Sequence, residues 1–157
     1  MVDTLRAAET EPPARTVGAA WGTRGGELLA LVLALQGRLE EARAIRFDPH
    51  PVEDHFYGVR LAARARLACQ LGDTEAAAAL VPLLRAVRNQ LRSAATTAFC
   101  TRPPALALGE VHAPLGNAAA ARSAFREGGE VAATWGSEYG EAAAAEGIRS
   151  LAQAHAV

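Results

Sequence analysis

Three stretches of this chain share one grammar. "LGDTEAAAALVPLL" begins at Leu71, "LGNAAAARSAFREG" at Leu115, and a looser version, "QGRLEEARAIRFD", at Gln36. In each, a glycine closes one run of periodic apolar residues and a second helical pattern starts almost at once. Aligned on Gly37, Gly72 and Gly116, the stretches carry an alanine five residues later, at Ala42, Ala77 and Ala121. Seven residues earlier comes a small residue: Ala30, Ala65 or Gly109. Nine residues later stand Arg46, Val81 and Phe125. The glycines are 35 and 44 residues apart. At that period helix pairs stack into solenoids, and each pair buries its apolar face only against its neighbours. Small residues at these offsets let two helices approach closely, and the bulky residue fills the next layer. Gly109 and Ala121 are therefore expected to face each other across the turn at Gly116.

The punctuation has physical causes. Glycine takes the left-handed conformation that closes a helix without a Cβ clash. Asp73 and Asn117 follow directly, and their short side chains suit the free N–H groups of the next helix as N-caps. Ser137 fits the same role for the last helix, with Glu138 and Glu141 complementing the helix dipole. In "FDPHPVED", Pro49 and Pro51 disfavour helix, while Glu53 and Asp54 suit a helix first turn. Pro103-Pro104 can open a helix, where the missing N–H costs nothing. Pro114 is expected to kink its helix or end it early. The periodicity predicts helices over 26–36, 38–46, 53–71, 74–91, 104–115, 118–134 and 138–155, with essentially no strand. Residues 1–24 read as a flexible tail, with Gly22, Gly25 and Gly26 as a loose lead-in, and 25–157 as one repeat domain.

Composition agrees with close-packed helices. Half of the residues are hydrophobic, but aromatics are only 5%, and a core of alanine and leucine suits helices better than a sandwich of sheets. The net charge of −1 gives no global field toward nucleic acid or an anionic membrane. The chain has no lysine, which excludes a Walker-type phosphate loop and Schiff-base chemistry. Two cysteines, Cys69 and Cys100, are too few for a disulfide framework. The longest apolar stretch, Leu28 to Leu35, is far shorter than a membrane span, and a cytoplasmic location is expected.

With these offsets on view, the chain resembles the tetratricopeptide repeat. Gly109, Gly116, Ala121 and Phe125 match that family best; Ala65, Gly72, Ala77 and Val81 follow. Arg46 departs from the apolar residue expected in the first unit. Residues 26–155 also resemble, more narrowly, the C-terminal repeat arrays of large actinobacterial regulators of the LuxR/MalT type. Cys100, Leu108-Gly109, Leu115-Gly116 and Trp135-Gly136 carry that likeness. The resemblance implies an all-α, right-handed superhelix of antiparallel helix pairs, about seven helices in all. The ATPase and DNA-binding domains of those regulators have no counterpart in these residues, so their activity is not implied.

Candidate chemistry is sparse. Asp48, His50, Glu53, Asp54 and His55 cluster in "FDPHPVEDHF". His50 and His55 are five apart across prolines, however, not four apart on one helix face, which fits a capping loop better than a metal site. His112 reads as a partly buried histidine of a helix pair. Cys69 reads as core, and Cys100 lacks a neighbouring base. Arg85, Arg88 and Arg92 fall on one helix face and Arg60 and Arg64 on another, the usual pattern of a solvated face. No metal, cofactor or catalytic residue is expected. The expected function is a non-catalytic scaffold whose first helices line a concave groove for a protein or peptide partner. Arg60, Arg64, Glu110 and His112 are its candidate contacts. A small-molecule-binding or enzymatic helical-repeat protein is the alternative. An open, arginine-lined groove would favour a peptide; a closed apolar pocket with Trp135, Tyr139 and Phe99 would favour a small molecule.

Overall fold

The computed structural model describes residues 19–48, 50–54, 56–89 and 102–154. Among these residues there are seven helices and no strand. They are α1 (Ala19–Leu35), α2 (Leu39–Ala44), α3 (Tyr57–Leu71), α4 (Thr74–Val87), α5 (Pro104–His112), α6 (Ala118–Thr134) and α7 (Glu138–Ala154). Residues 1–51 and 52–157 form two compact units. In the first, α1 packs on α2. In the second, α3 packs on α4 and α5, α4 on α5, α5 on α6, and α6 on α7.

One hydrogen-bond pattern closes α1, α3, α5 and α6. The glycine N–H bonds the carbonyl three residues back, and the next N–H bonds the carbonyl five back. At Gly72 these are Cys69 (3.2 Å) and, from Asp73, Ala68 (2.9 Å). Gly37, Gly116 and Gly136 repeat it, all four glycines having φ between 65° and 76°. The left-handed residue turns the chain back so that orphan carbonyls of the last turn are satisfied. The next helix then starts within two residues. Asp73 caps α4 by accepting from the Ala76 N–H at 2.9 Å, and Ser137 Oγ accepts from the Gly140 N–H at 3.2 Å. Asn117 forms no side-chain cap. Its backbone, at ψ 58°, lies away from the extended conformation that serves Asp73 at ψ 90°.

All six small positions of the aligned stretches are buried: Ala30, Ala42, Ala65, Ala77, Gly109 and Ala121. Around them two clusters fill the second unit. Leu61, Leu84 and Val111 centre the first, between α3, α4 and α5. Leu106, Phe125 and Leu151 centre the second, between α5, α6 and α7. A fully buried leucine of this kind contributes roughly 1.5–3 kcal/mol relative to an exposed one. Gly109 serves this layer, although not as the sequence suggests. The atoms nearest to a β-carbon built there belong to the Phe125 ring, the closest at 2.7 Å, rather than to Ala121. In this unit the residue nine positions after the turn glycine fills the space left by the small residue seven before it.

Helix ends differ from the expected ones for local reasons. α1 begins at Ala19 and runs through Gly22, Gly25 and Gly26 instead of starting after them. A β-carbon on Gly26 would lie 3.0 Å from the Arg46 carbonyl and 3.2 Å from Phe47 Cβ, so close approach and not flexibility is what that glycine provides. α3 starts at Tyr57, four residues later than its periodicity predicts. Asp54, expected in its first turn, instead accepts from the Phe56 N–H at 2.8 Å, a side-chain-closed turn before the helix. α5 ends at His112, two residues before Pro114. Pro82 lies inside α4 on its exposed side, where the freed carbonyl of the preceding turn meets solvent.

Candidate functional site

α3 packs against both α4 and α5, and its rotation decides what the groove contains. Tyr57, Arg60, Leu61, Arg64, Ala65 and Ala68 are among its buried residues. Arg60 and Arg64 therefore share the packed arc of α3 rather than a solvated face, and Arg60 is only 5% exposed. Arg60 Nη2 donates to the Val52 carbonyl at 2.7 Å and to Asp54 Oδ1 at 2.6 Å. Its charge is spent tying the entry loop onto the helix. Arg66, Cys69 and Gln70 point the other way and line a groove.

That groove has a volume of about 710 Å³. It runs between α3, α5 and α7, with α6 contributing to its floor. Phe125, Ala143 and Leu151 supply apolar surface; Arg66, Arg102 and Glu110 supply charge on one wall, and Tyr139, Glu146 and Ser150 polarity on the other. Arg102 stands just before α5 and pairs through Nη1 with Glu110 Oε1 at 2.7 Å. The remaining Arg102 Nε and Glu110 Oε2 are buried without a hydrogen bond among the described residues. Glu146 is engaged by Arg149. Arg66 is half-buried and has no ion-pair or hydrogen-bond partner among the described residues.

Cys69 lies on the same wall, its Sγ donating to the Glu110 carbonyl at 3.4 Å. Burial, reinforced by the Glu110 charge, pushes its thiol up to about 11. At neutral pH it is a protonated, poorly nucleophilic thiol. His112 is 6% exposed and stands outside the groove lining. Its Nδ1 is buried without a partner among the described residues. Desolvation by burial, with the nearby Arg85 charge, lowers its pKa and favours the neutral imidazole.

Of the four candidate contacts, the groove thus contains Glu110; Arg60, Arg64 and His112 belong to the packed interior. Of the three aromatic residues considered for a closed pocket, Tyr139 lines the groove and is 67% exposed. Trp135 is exposed outside the lining, and Phe99 lies outside the described residues, as do Cys100, His55 and Arg92. Arg88 spans to α6, its Nε donating to Glu127 at 3.0 Å. In the proline-rich loop the exposed His50 uses its backbone N–H to bond Asp48 Oδ1 at 2.8 Å. Among the described residues, no group of three or more His, Cys, Asp or Glu is placed to hold a metal ion. No described helix is long and apolar enough to cross a membrane.

No protein-family model, curated protein or solved structure matches the chain.

Proposed function

We propose that this protein is a non-catalytic, tetratricopeptide-like binding scaffold that receives a peptide segment of a partner protein in the groove between α3, α5 and α7. The observation that carries this reading is the lining itself. α3 and α5 are the first helices of their pairs and α7 follows in the same alternation, which is the side on which stacked helix pairs present a continuous concave surface. The neighbour-to-neighbour packing of α3 to α7 and the burial of every aligned small residue support a right-handed stack of tetratricopeptide type. The likeness of residues 26–155 to the arrays of LuxR/MalT-type regulators supports a regulatory setting.

The groove favours a peptide over chemistry. Its cysteine is held protonated, and its arginines and glutamates offer recognition of polar groups rather than a nucleophile with its base. A second reading, a small-molecule site, is favoured by the volume of about 710 Å³, within the usual range of such pockets.

The test is selection from a library of random dodecapeptides embedded between fixed flanks, using the full chain as bait. Ser150 lines the groove with an exposed side chain, so Ser150→Trp fills the groove without touching the core. Selected peptides should bind the wild type and lose about tenfold or more in affinity for the Ser150→Trp variant. A library that yields no binder sensitive to this substitution would remove the peptide reading. Native mass spectrometry of the purified chain, showing a retained small molecule lost in the same variant, would establish the second.

A further inference from the structure

We infer that the groove selects segments in which an acidic side chain lies next to a bulky apolar one, with Arg66 receiving the carboxylate. The inference rests on the peptide reading above and adds the chemistry of the partner. It starts from an imbalance of charge. Two cations and two anions line the groove: Arg66, Arg102, Glu110 and Glu146. Three of the four are already committed within the fold. Arg102 and Glu110 hold each other, and Glu146 is held by Arg149 on the adjacent turn of α7. Arg66 alone of the four has neither an ion pair nor a hydrogen bond among the described residues.

A half-buried guanidinium has lost part of its hydration and gained nothing in return. Its planar fork matches a carboxylate, which can accept two parallel N–H bonds from it. Its lining neighbours on α3, Cys69 and Gln70 one turn further along, are uncharged, and Arg102 and Glu110 on the same wall are paired with each other. The same groove exposes Phe125, Ala143 and Leu151, a surface that takes an aliphatic or aromatic side chain. An extended segment places alternate side chains on opposite faces, and neighbouring ones diverge by several ångströms. One such pair therefore spans from the arginine wall to the apolar floor. Glu110 and Glu146 are each balanced by an arginine of the fold, so the one charge left to match is the single positive charge of Arg66. An unmodified Asp or Glu balances it, whereas a doubly charged phosphate would leave negative charge unmatched beside the two glutamates.

Arg66 is exchanged for glutamine in the test, which keeps the helix and removes the charge. The same library is selected on the wild-type chain and on the Arg66→Gln variant. Wild-type winners should be enriched in Asp or Glu beside Leu, Ile, Phe or Met. Replacing the acid by its amide in the best peptide should weaken wild-type binding about tenfold and leave binding to the variant nearly unchanged. Peptides that depend on the groove by the Ser150→Trp criterion but show no acidic preference would overturn this inference while leaving the peptide reading intact. The same holds if the amide penalty persists in Arg66→Gln. A phosphoserine in place of the acid that binds more tightly would overturn the choice of carboxylate. Absence of any groove-dependent peptide would overturn both readings, and decanoate, tested alongside, would then report whether a free amphipathic acid takes the site.

Discussion

The ring of Phe125 occupies the space that a β-carbon on Gly147 would need: such a carbon would lie 2.5 Å from Cε1. A β-carbon on Gly109, on α5, would likewise lie 2.7 Å from Cδ1 and Cε1 of the same ring. One ring edge thus packs against two glycines on different helices. Gly147→Ala should cost about 1–3 kcal/mol through overpacking, less a gain of up to about 1 kcal/mol in helix propensity. In a Phe125→Leu background the clash disappears and only the propensity gain remains, so the same substitution should turn neutral or stabilising. Urea midpoints of the four proteins in this cycle measure the coupling.

Ala121 tests the aligned stretches from another position. It is fully buried, whereas Ala142 on α7 is exposed. Ala121→Leu should destabilise by about 1–3 kcal/mol, and Ala142→Leu should stay within about 0.5 kcal/mol of the wild type. Equal urea midpoints for the two would break the link between the repeated offsets and close helix packing.

The entry loop of the second unit depends on one carboxylate. Asp54 accepts from the Phe56 backbone and from the buried Arg60 guanidinium. Asp54→Ala is expected to cost about 1–3 kcal/mol, because hydrogen bonds to a charged, buried partner are lost together. Glu40→Ala removes the partner of Arg43 from an exposed pair, 45% and 89% accessible, and should cost at most about 0.5 kcal/mol. Thermal melts at low and moderate salt separate the two, since screening weakens only the exposed pair appreciably.

His112 gives the fold a pH dependence of known sign. Its folded-state pKa is lowered, first by burial and then by Arg85. The unfolded chain therefore binds a proton more readily than the folded one. The stability this provides is fully present above the ordinary histidine value of about 6.5 and is lost as pH falls from there toward the depressed folded value. Chemical denaturation between pH 7.5 and 5 should show the wild type losing more stability than His112→Gln. Parallel curves for the two proteins would count against a buried neutral imidazole.

Much of the fold is legible in the sequence because its turns are decided by single residues. A glycine at the left-handed position fixes a helix end by itself, so Gly37, Gly72 and Gly116 mark the boundaries without tertiary information. Helix starts are harder. α1 passes through three glycines, and one of them, Gly26, packs against the chain near Arg46, a contact no local pattern reveals. The groove is harder still. Arg60, Arg64 and Arg66 are alike in sequence, and only the rotation of α3 places two in the packed interior and one in the groove. Arg102 joins that wall from 36 residues away, through the course of the chain and not through any local spacing. Glu110 is the one candidate that both the first-helix argument and the structure place there.

The four glycine closures also bear on how quickly the protein reaches this state. Their hydrogen bonds join residues at most five positions apart, as from Asp73 to Ala68. Closing so short a loop costs little chain entropy, and each reversal of direction is set before distant helices meet. Folding of the second unit can begin at any of the three hairpins around Gly72, Gly116 and Gly136 and spread to its neighbours, since α3 to α7 pack in chain order. A Gly116→Ala change places a β-carbon at φ 73° and strains one such hairpin. If nucleation is shared among the three, refolding should slow by much less than unfolding accelerates, because the remaining turns carry the early steps.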